Sequence, residues 1–451
     1  MGIEIEKLAQ FVAKTQWEDI PAAVQNHARL VFLDTLGVIL AGSVRPEVVQ
    51  LRERLATGAG GGATVYARGV PAHDPRTAAL LNGIAGRSIE LCEGLRLVSG
   101  QAAMQVLPGI LATGEAASRS GRDVMAALVL GYEVAGRLCA AFTPRPLAHQ
   151  NGQASLLAAA AGGARVRALS AAEVSLAMRI STTLVLTPSY TNVVAGATAL
   201  NVAGGMSGYV GALAPELALA GFSAQDDAVE EALGKLVGDG FNTEGLADAL
   251  GTRWDITRNY FRLYACCNPI HPALDAFKAV LAELRPRPED IERVDIATYR
   301  FASVMRNPDP PNYFASKYSL PHAAAVMAVR GGAGHSAIDD EALLDPAIAA
   351  LRHRVHIVED AQMSAVAPRL RPARVTLTLK DGRQATHACD SHRGDFNQPF
   401  EESELRDKFR ELAGLVLTDE GTARVEALVE RCAEWASVRE LTDALRRYAR
   451  A

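Results

Sequence analysis

The stretch Ala22–Gly42 constrains the fold of this chain more than any other. It reads AAVQNHARLVFLDTLGVILAG, with apolar residues all around a helical wheel. A helix apolar on every face must be surrounded by other elements, so the chain has to build a bundle around it. The flanking sequence supplies one. Ile5, Leu8, Ala9, Val12 and Ala13 form a stripe of helical period. Further helices are expected over 74–85, 104–118, 121–141, 153–164, 171–182, 195–219, 226–236 and 243–250, and their many Ala and Gly residues let helix axes approach closely. The Gly-rich segment 57–65 lacks the Lys-Ser/Thr sequel of a phosphate loop and reads as a turn.

From about residue 267 the texture changes. Segments 291–299, 354–358 and 374–378 alternate like strands, and Lys380-Asp381-Gly382-Arg383 is a hairpin turn leading into 384–389. Helices are expected between them at 273–284, 320–330 and 346–351, the last capped by Asp345 with Pro346 in its first turn. Helical texture returns at 401–412 and 421–432. The expected fold is therefore mainly α. It comprises a large all-helical bundle domain (1–266 with 398–451) and a smaller α+β lid domain (267–397) with an antiparallel sheet.

Composition narrows the function classes. Across 451 residues, 46 Lys and Arg stand against 51 Asp and Glu, for a net charge of -5. That near balance argues against nucleic acid or an anionic membrane as the main partner. The six cysteines form no CxxC pair or zinc-ribbon spacing, which fits a reducing compartment. The N-terminus mixes both charge signs and is no signal peptide, and the longest apolar runs, such as 154–164, look too short to span a bilayer. These features point to the cytoplasm. His353 and His356 fall on opposite faces of a strand, so no metal site is expected there.

Several strings together carry a resemblance: Leu33-Asp34-Thr35-Leu36-Gly37-Val38, the segments 60–69, 78–83 and 106–115, then Cys267-Asn268-Pro269-Ile270-His271-Pro272, Lys317-Tyr318-Ser319-Leu320-Pro321-His322, and Arg393-Gly394-Asp395 with 405–409. Collinear over almost the whole chain, they resemble the MmgE/PrpD family, which includes 2-methylcitrate dehydratase, cis-aconitate decarboxylase and iminodisuccinate epimerase. The resemblance implies a homodimer without metal or organic cofactor, acting on a small carboxylic acid by moving a proton alpha to a carboxylate. Dehydration is the outcome it favours. Epimerisation, decarboxylation, or a dimeric binding protein without catalysis are the alternatives.

Such chemistry needs a positioned base, an acid, and cations or N–H groups on the carboxylates. The resemblance points to His271 at the family's junction string and His149 before the Ala-rich helix as the proton-moving pair. Glu90 and Glu93, three apart on one helical face, are candidate acids or bases. Candidate substrate-binding residues are Arg87, Gln101, Asn151, Thr191, Asn192, Arg262, Lys317 and Tyr318, with Gln150, Tyr190, Tyr264 and His322 as lesser ones. Two departures from the family stand out. Arg87 occupies the place of a histidine and Glu90 and Glu93 those of aspartates. The segment Tyr190-Thr191-Asn192-Val193 also lacks the family's lysine. Site formation requires His149 and His271 to meet in one crevice between body and lid.

Overall fold

The structure, a computed structural model, describes residues 2–56, 61–69, 72–98 and 100–450. Part of the Gly-rich segment 57–65 lies outside the described residues. The helix Ala22–Gly42 is continuously buried from Val31 to Gly42. Helices Pro75–Arg87 and Glu402–Ala413 pack on it. Its one buried carboxylate, Asp34, is neutralised by Lys408 at 2.6 Å from the Glu402–Ala413 helix.

The helices Ala102–Ala116, Gly121–Ala141, Ala154–Val166 and Leu200–Leu219 fill the rest of the body. By length and composition Gly121–Ala141 could cross a bilayer, contrary to the expectation that every apolar run is too short, but it is buried inside this bundle. Small residues set the spacing. A Cβ placed on Gly163 would lie 1.8 Å from the Gly211 carbonyl oxygen of the facing helix, so only glycine allows that approach.

Two large hydrophobic clusters result. One joins the N-terminal helices to Leu405, Phe409, Val425, Leu428 and Leu441 from the C-terminal end. The other gathers residues between 265 and 385 around Phe277, Ile296 and Val375, and takes in Val38, Ile89 and Met104.

The four-stranded sheet runs Gln384–Cys389, Ala373–Leu379, Ile291–Thr298, Val355–Glu359 in spatial order. It is mixed, which corrects the antiparallel expectation. The hairpin at Asp381-Gly382 joins antiparallel neighbours, but Ile291–Thr298 and Val355–Glu359 pair in parallel, Val294 opposite Val355. The helical crossover between them returns the chain to the same end before the second strand begins, and this dictates parallel pairing.

Three helix expectations also change. The helix expected from 195 starts at Leu200, because Gly196 turns left-handed (φ 94°) and separates it from a short helix Tyr190–Val194. The 226–236 helix is a short α-helix, Ala228–Glu231, running into a π-helical turn. Segment 243–250 is a series of turns, too short and too weakly apolar to nucleate a helix. Helices Pro46–Leu55 and Arg439–Tyr448 were not anticipated.

Candidate active site

A cavity of about 490 Å³ opens where the two hydrophobic clusters meet. Its walls come from segments far apart in the chain: 90–98, 100–101, 149–150, Tyr190, 260–269, 299–304, Tyr318 and 364–371. The floor is a buried ionic cluster. Arg87 ends the helix Pro75–Arg87, and the chain then turns so that Glu90 takes up a left-handed backbone (φ 50°), uncommon for a residue with a side chain. That turn places the Glu90 carboxylate between two fully buried guanidinium groups. Arg87 pairs with one oxygen and Arg262 donates to the other at 2.5 Å. The Tyr318 hydroxyl lies 2.9 Å from Arg87 and donates to Glu90 at 3.0 Å.

Burial alone would push the Glu90 carboxyl up. The two arginines outweigh it and hold the group below the ordinary carboxylate range. Two guanidinium groups sharing one carboxylate leave a net positive charge under the cavity, suited to an anion.

His149 and Tyr190 form one wall, their rings stacked at 5.7 Å between centroids and 13° between planes. The Asn151 backbone N–H donates to His149 Nδ1 at 3.2 Å, which leaves the ring proton on Nε2. Burial, with a smaller contribution from Arg87, pushes the imidazole down to about 3, so the ring is neutral at any physiological pH. With its Nδ1 lone pair engaged and its proton on Nε2, this neutral imidazole presents a hydrogen-bond donor to the cavity and no free lone pair to act as a base. Among the described residues the buried Tyr190 hydroxyl has no hydrogen-bond partner, and burial raises its phenol well above the usual range, so it too is a donor.

Arg371, also on the lining, donates to Asn268 Oδ1 and, at 3.0 Å, to the Arg96 carbonyl. Asn268 Nδ2 donates to His392 Nε2 at 2.6 Å, while His392 Nδ1 donates to the Arg393 carbonyl at 2.8 Å. The chain of donors fixes the Asn268 amide and aims Arg371 at the cavity. Arg371 makes no ion pair among the described residues, so its charge is available to a ligand.

Of the residues singled out from sequence, His149, Glu90, Gln101, Arg262 and Tyr318 line this cavity, as do Gln150 and Tyr190. Gln101 precedes the helix Ala102–Ala116 and its Oε1 has no partner. Arg87 acts from behind Glu90. Asn151 is buried behind His149, its Oδ1 facing Gln105 at 3.5 Å.

The others lie elsewhere. Glu93 accepts from Tyr132 (2.6 Å), the Ala103 N–H (3.0 Å) and Asn259 (3.2 Å) in a separate buried cluster, where burial pushes it up to about 7. Thr191 and Asn192 are exposed on the short helix after Ser189. Lys317 is buried against the Tyr313 ring and donates to the Ile338 carbonyl at 2.9 Å, and burial pushes it down to about 7. His322 is buried in the helix Leu320–Arg330 with neither ring nitrogen partnered. Tyr264 donates to Asp275 at 2.7 Å.

His271 does not line the cavity. It sits behind the wall, donating from Nε2 to the Cys266 carbonyl at 3.0 Å, with its ring 5.3 Å from that of His392. The meeting of His149 and His271 in one crevice is therefore not what the structure shows. His392 lies one hydrogen bond behind Asn268, which does line the cavity.

Family models match on both sides of this site. The MmgE/PrpD N-terminal domain matches residues 6–242 and the MmgE/PrpD C-terminal domain residues 264–434. The chain belongs to the MmgE/PrpD family. Among its curated relatives, the cis-aconitate decarboxylase-like protein oryM of Aspergillus oryzae is 24% identical, covering 96% of this chain and 95% of that protein. A cis-aconitate decarboxylase of Aspergillus terreus is 23% identical, covering 95% of this chain and 92% of its own length. Among the described residues, no group of three or more His, Cys, Asp and Glu is placed to hold a metal ion.

In this MmgE/PrpD chain, sequence reasoning overlooked Arg371, His392 and the role of Asn268. Asn268 falls inside one family string and His392 directly before another, so a signal existed for the Asn268–His392 pair. Nothing distinguishes Arg371 from its neighbours Arg369 and Arg374 until the fold aims it.

Proposed function

We propose that this chain is a lyase that releases CO2 from a small unsaturated polycarboxylic acid, using its own side chains as acid and cations. The observation that carries the reading is the protonation pattern of the cavity. Among the described lining residues the one carboxylate, Glu90, is neutralised by two arginines, and the one imidazole, His149, presents its N–H. A dehydratase or epimerase must begin by removing a proton, and neither group is a competent base. Decarboxylation begins without one.

In this reading Arg371 and the net-positive floor hold two carboxylates of the substrate. The C–C bond to a third carboxylate breaks, its electron pair stays on carbon, and CO2 departs. The pair delocalises into the conjugated carboxylate that the cations hold. The neutral His149 Nε2–H gives its proton to the far more basic carbon, the imidazolate so formed takes a proton from water, and the hydroxide left combines with the departing CO2 as bicarbonate. The decarboxylases among the relatives support this choice over the dehydration favoured from sequence.

The test is incubation with cis-aconitate in D2O, followed by NMR and CO2 detection. The expected result is one CO2 and one new C–D bond per turnover. Addition of water to cis-aconitate giving a hydroxy acid, or deuterium uptake with the carbon skeleton retained, would replace this reading with the dehydratase or epimerase one.

A further inference from the structure

Arg96 and Asp395 stand 299 positions apart in the sequence, yet both side chains are shut off from solvent and paired with each other. Backbone pairing brings them together. The two-residue strand Gly94–Leu95 pairs with Asn259–Tyr260. Tyr260 bridges in turn to Asp395, and the Phe261 N–H donates to the Gly394 carbonyl at 2.9 Å. Arg96 therefore leaves its strand beside the turn that carries Asp395. Its Nε donates to the Asp395 carboxylate, which also accepts from the Ser391 hydroxyl at 2.5 Å and the Asn397 N–H at 3.3 Å.

The other two nitrogens of Arg96 reach a different segment. Nη1 donates to the Pro368 carbonyl at 2.9 Å and Nη2 to the Arg369 carbonyl at 3.3 Å. Residues 367–372 form an irregular stretch between the helix Ala361–Val366 and the strand Ala373–Leu379, so neither carbonyl belongs to a ladder. The stretch carries Arg371. Its backbone N–H is tied to the Asp390 carbonyl at 3.0 Å, and its guanidinium donates back to the Arg96 carbonyl at 3.0 Å. Each arginine grips the backbone of the other's segment. Neither Arg96 nor Asp395 is among the described residues that line the cavity.

We propose that Arg96 and Asp395 are positioning residues, which fix the stretch 367–372 and so set where Arg371 meets the substrate. The inference rests on the reading above, in which Arg371 holds a substrate carboxylate, and names what holds Arg371. Geometry does the holding. One planar guanidinium spends its three nitrogens on three acceptors, an arrangement that the point charge of a lysine cannot copy.

The experiment uses the full-length protein, with cis-aconitate as substrate and tricarballylate, a saturated tricarboxylate, as binding probe. KM, kcat, Kd by calorimetry and the melting midpoint are measured for wild type, Arg96→Lys, Asp395→Asn, Arg371→Ala, and Arg96→Lys combined with Arg371→Ala. Arg371→Ala should weaken Kd by about tenfold or more, as expected for a lost charge-assisted bond. Arg96→Lys and Asp395→Asn should raise Kd and KM by a similar factor, and more than they lower kcat, although the lysine keeps the charge. The double variant should bind within about twofold of Arg371→Ala alone, because Arg96 then has nothing left to position. Losses that multiply in the double variant, or a lowered melting midpoint with Kd unchanged, mark a merely structural role and overturn the proposal. Should Arg96→Lys fail to fold, Asp395→Asn takes its place in the same cycle. A wild type that binds tricarballylate but releases no CO2 overturns the decarboxylase reading, and the Kd cycle still decides the positioning. An unchanged Kd in Arg371→Ala overturns the carboxylate role of Arg371 and this proposal with it.

Discussion

At the scale of single residues, the site turns on one hydrogen bond to one ring. The Asn151 N–H holds the His149 proton on the cavity side, and burial keeps the ring uncharged. Two outcomes follow. His149→Ala should lower kcat by about 10²- to 10⁴-fold, the range for loss of a positioned proton donor. The wild-type pH–rate profile should show no inflection near 6.5 from this ring. Its depressed pKa of about 3 keeps it in the donating form across pH 5–8. An ionisation near 6.5 that disappears in His149→Ala would contradict the assignment. Other residues in the same neighbourhood serve by fixing their neighbours: Arg87 and Arg262 fix Glu90, and His392 fixes Asn268.

At the scale of elements, glycines decide how closely the helices stack. Helix propensity says Gly163→Ala should stabilise the helix Ala154–Val166 by about 1 kcal/mol. The Gly211 carbonyl oxygen, 1.8 Å from where the new Cβ would sit, says the opposite. Overpacking of this kind costs about 1–3 kcal/mol, so thermal unfolding should begin several degrees lower in the variant. An unchanged or raised midpoint would show that the two helices can part.

This scale also shows how far the sequence could be read. Helical periodicity placed the long helices within a few residues, and the Asp-Gly turn located the hairpin, because those signals are local. The parallel partner of Ile291–Thr298 was missed because a strand's direction depends on the crossover that delivers it, not on its own residues. The family string ahead of the Ala-rich helix singles out His149, and the structure puts it on the cavity wall. His271 was favoured on the same kind of evidence, yet the rigid Pro-flanked turn aims it at the Cys266 carbonyl and away from the cavity. Arg371 was invisible because its role comes from a contact with Asn268, about a hundred residues earlier in the chain.

At the scale of the whole molecule, buried titratable groups set a window of stability. His149, His322 and His392 have folded-state pKa values of about 3, 3 and 4, below the ordinary 6.5. A depressed value means the unfolded chain binds more protons. Their contribution is intact above 6.5 and is lost as pH falls toward 4. Glu93 works the other way. Its folded pKa of about 7 lies above the ordinary 4.5, so the folded form is favoured at low pH and penalised as pH rises through 7. Between pH 5 and 8 the penalty amounts to about 2 kcal/mol. Glu93→Gln should therefore raise the unfolding temperature relative to wild type more at pH 8 than at pH 5, read from paired melts. A constant difference across that range would mean Glu93 is already ionised at pH 5.

The Lys408 ammonium joins the far end of the chain to the near one. Besides neutralising Asp34, it donates to the Leu91 carbonyl at 2.9 Å, directly beside the turn that presents Glu90. During synthesis, residues 87 to 93 leave the ribosome more than three hundred residues before the cation that pins them. A nascent chain thus carries an unfinished floor until the helix Glu402–Ala413 has been translated and docked.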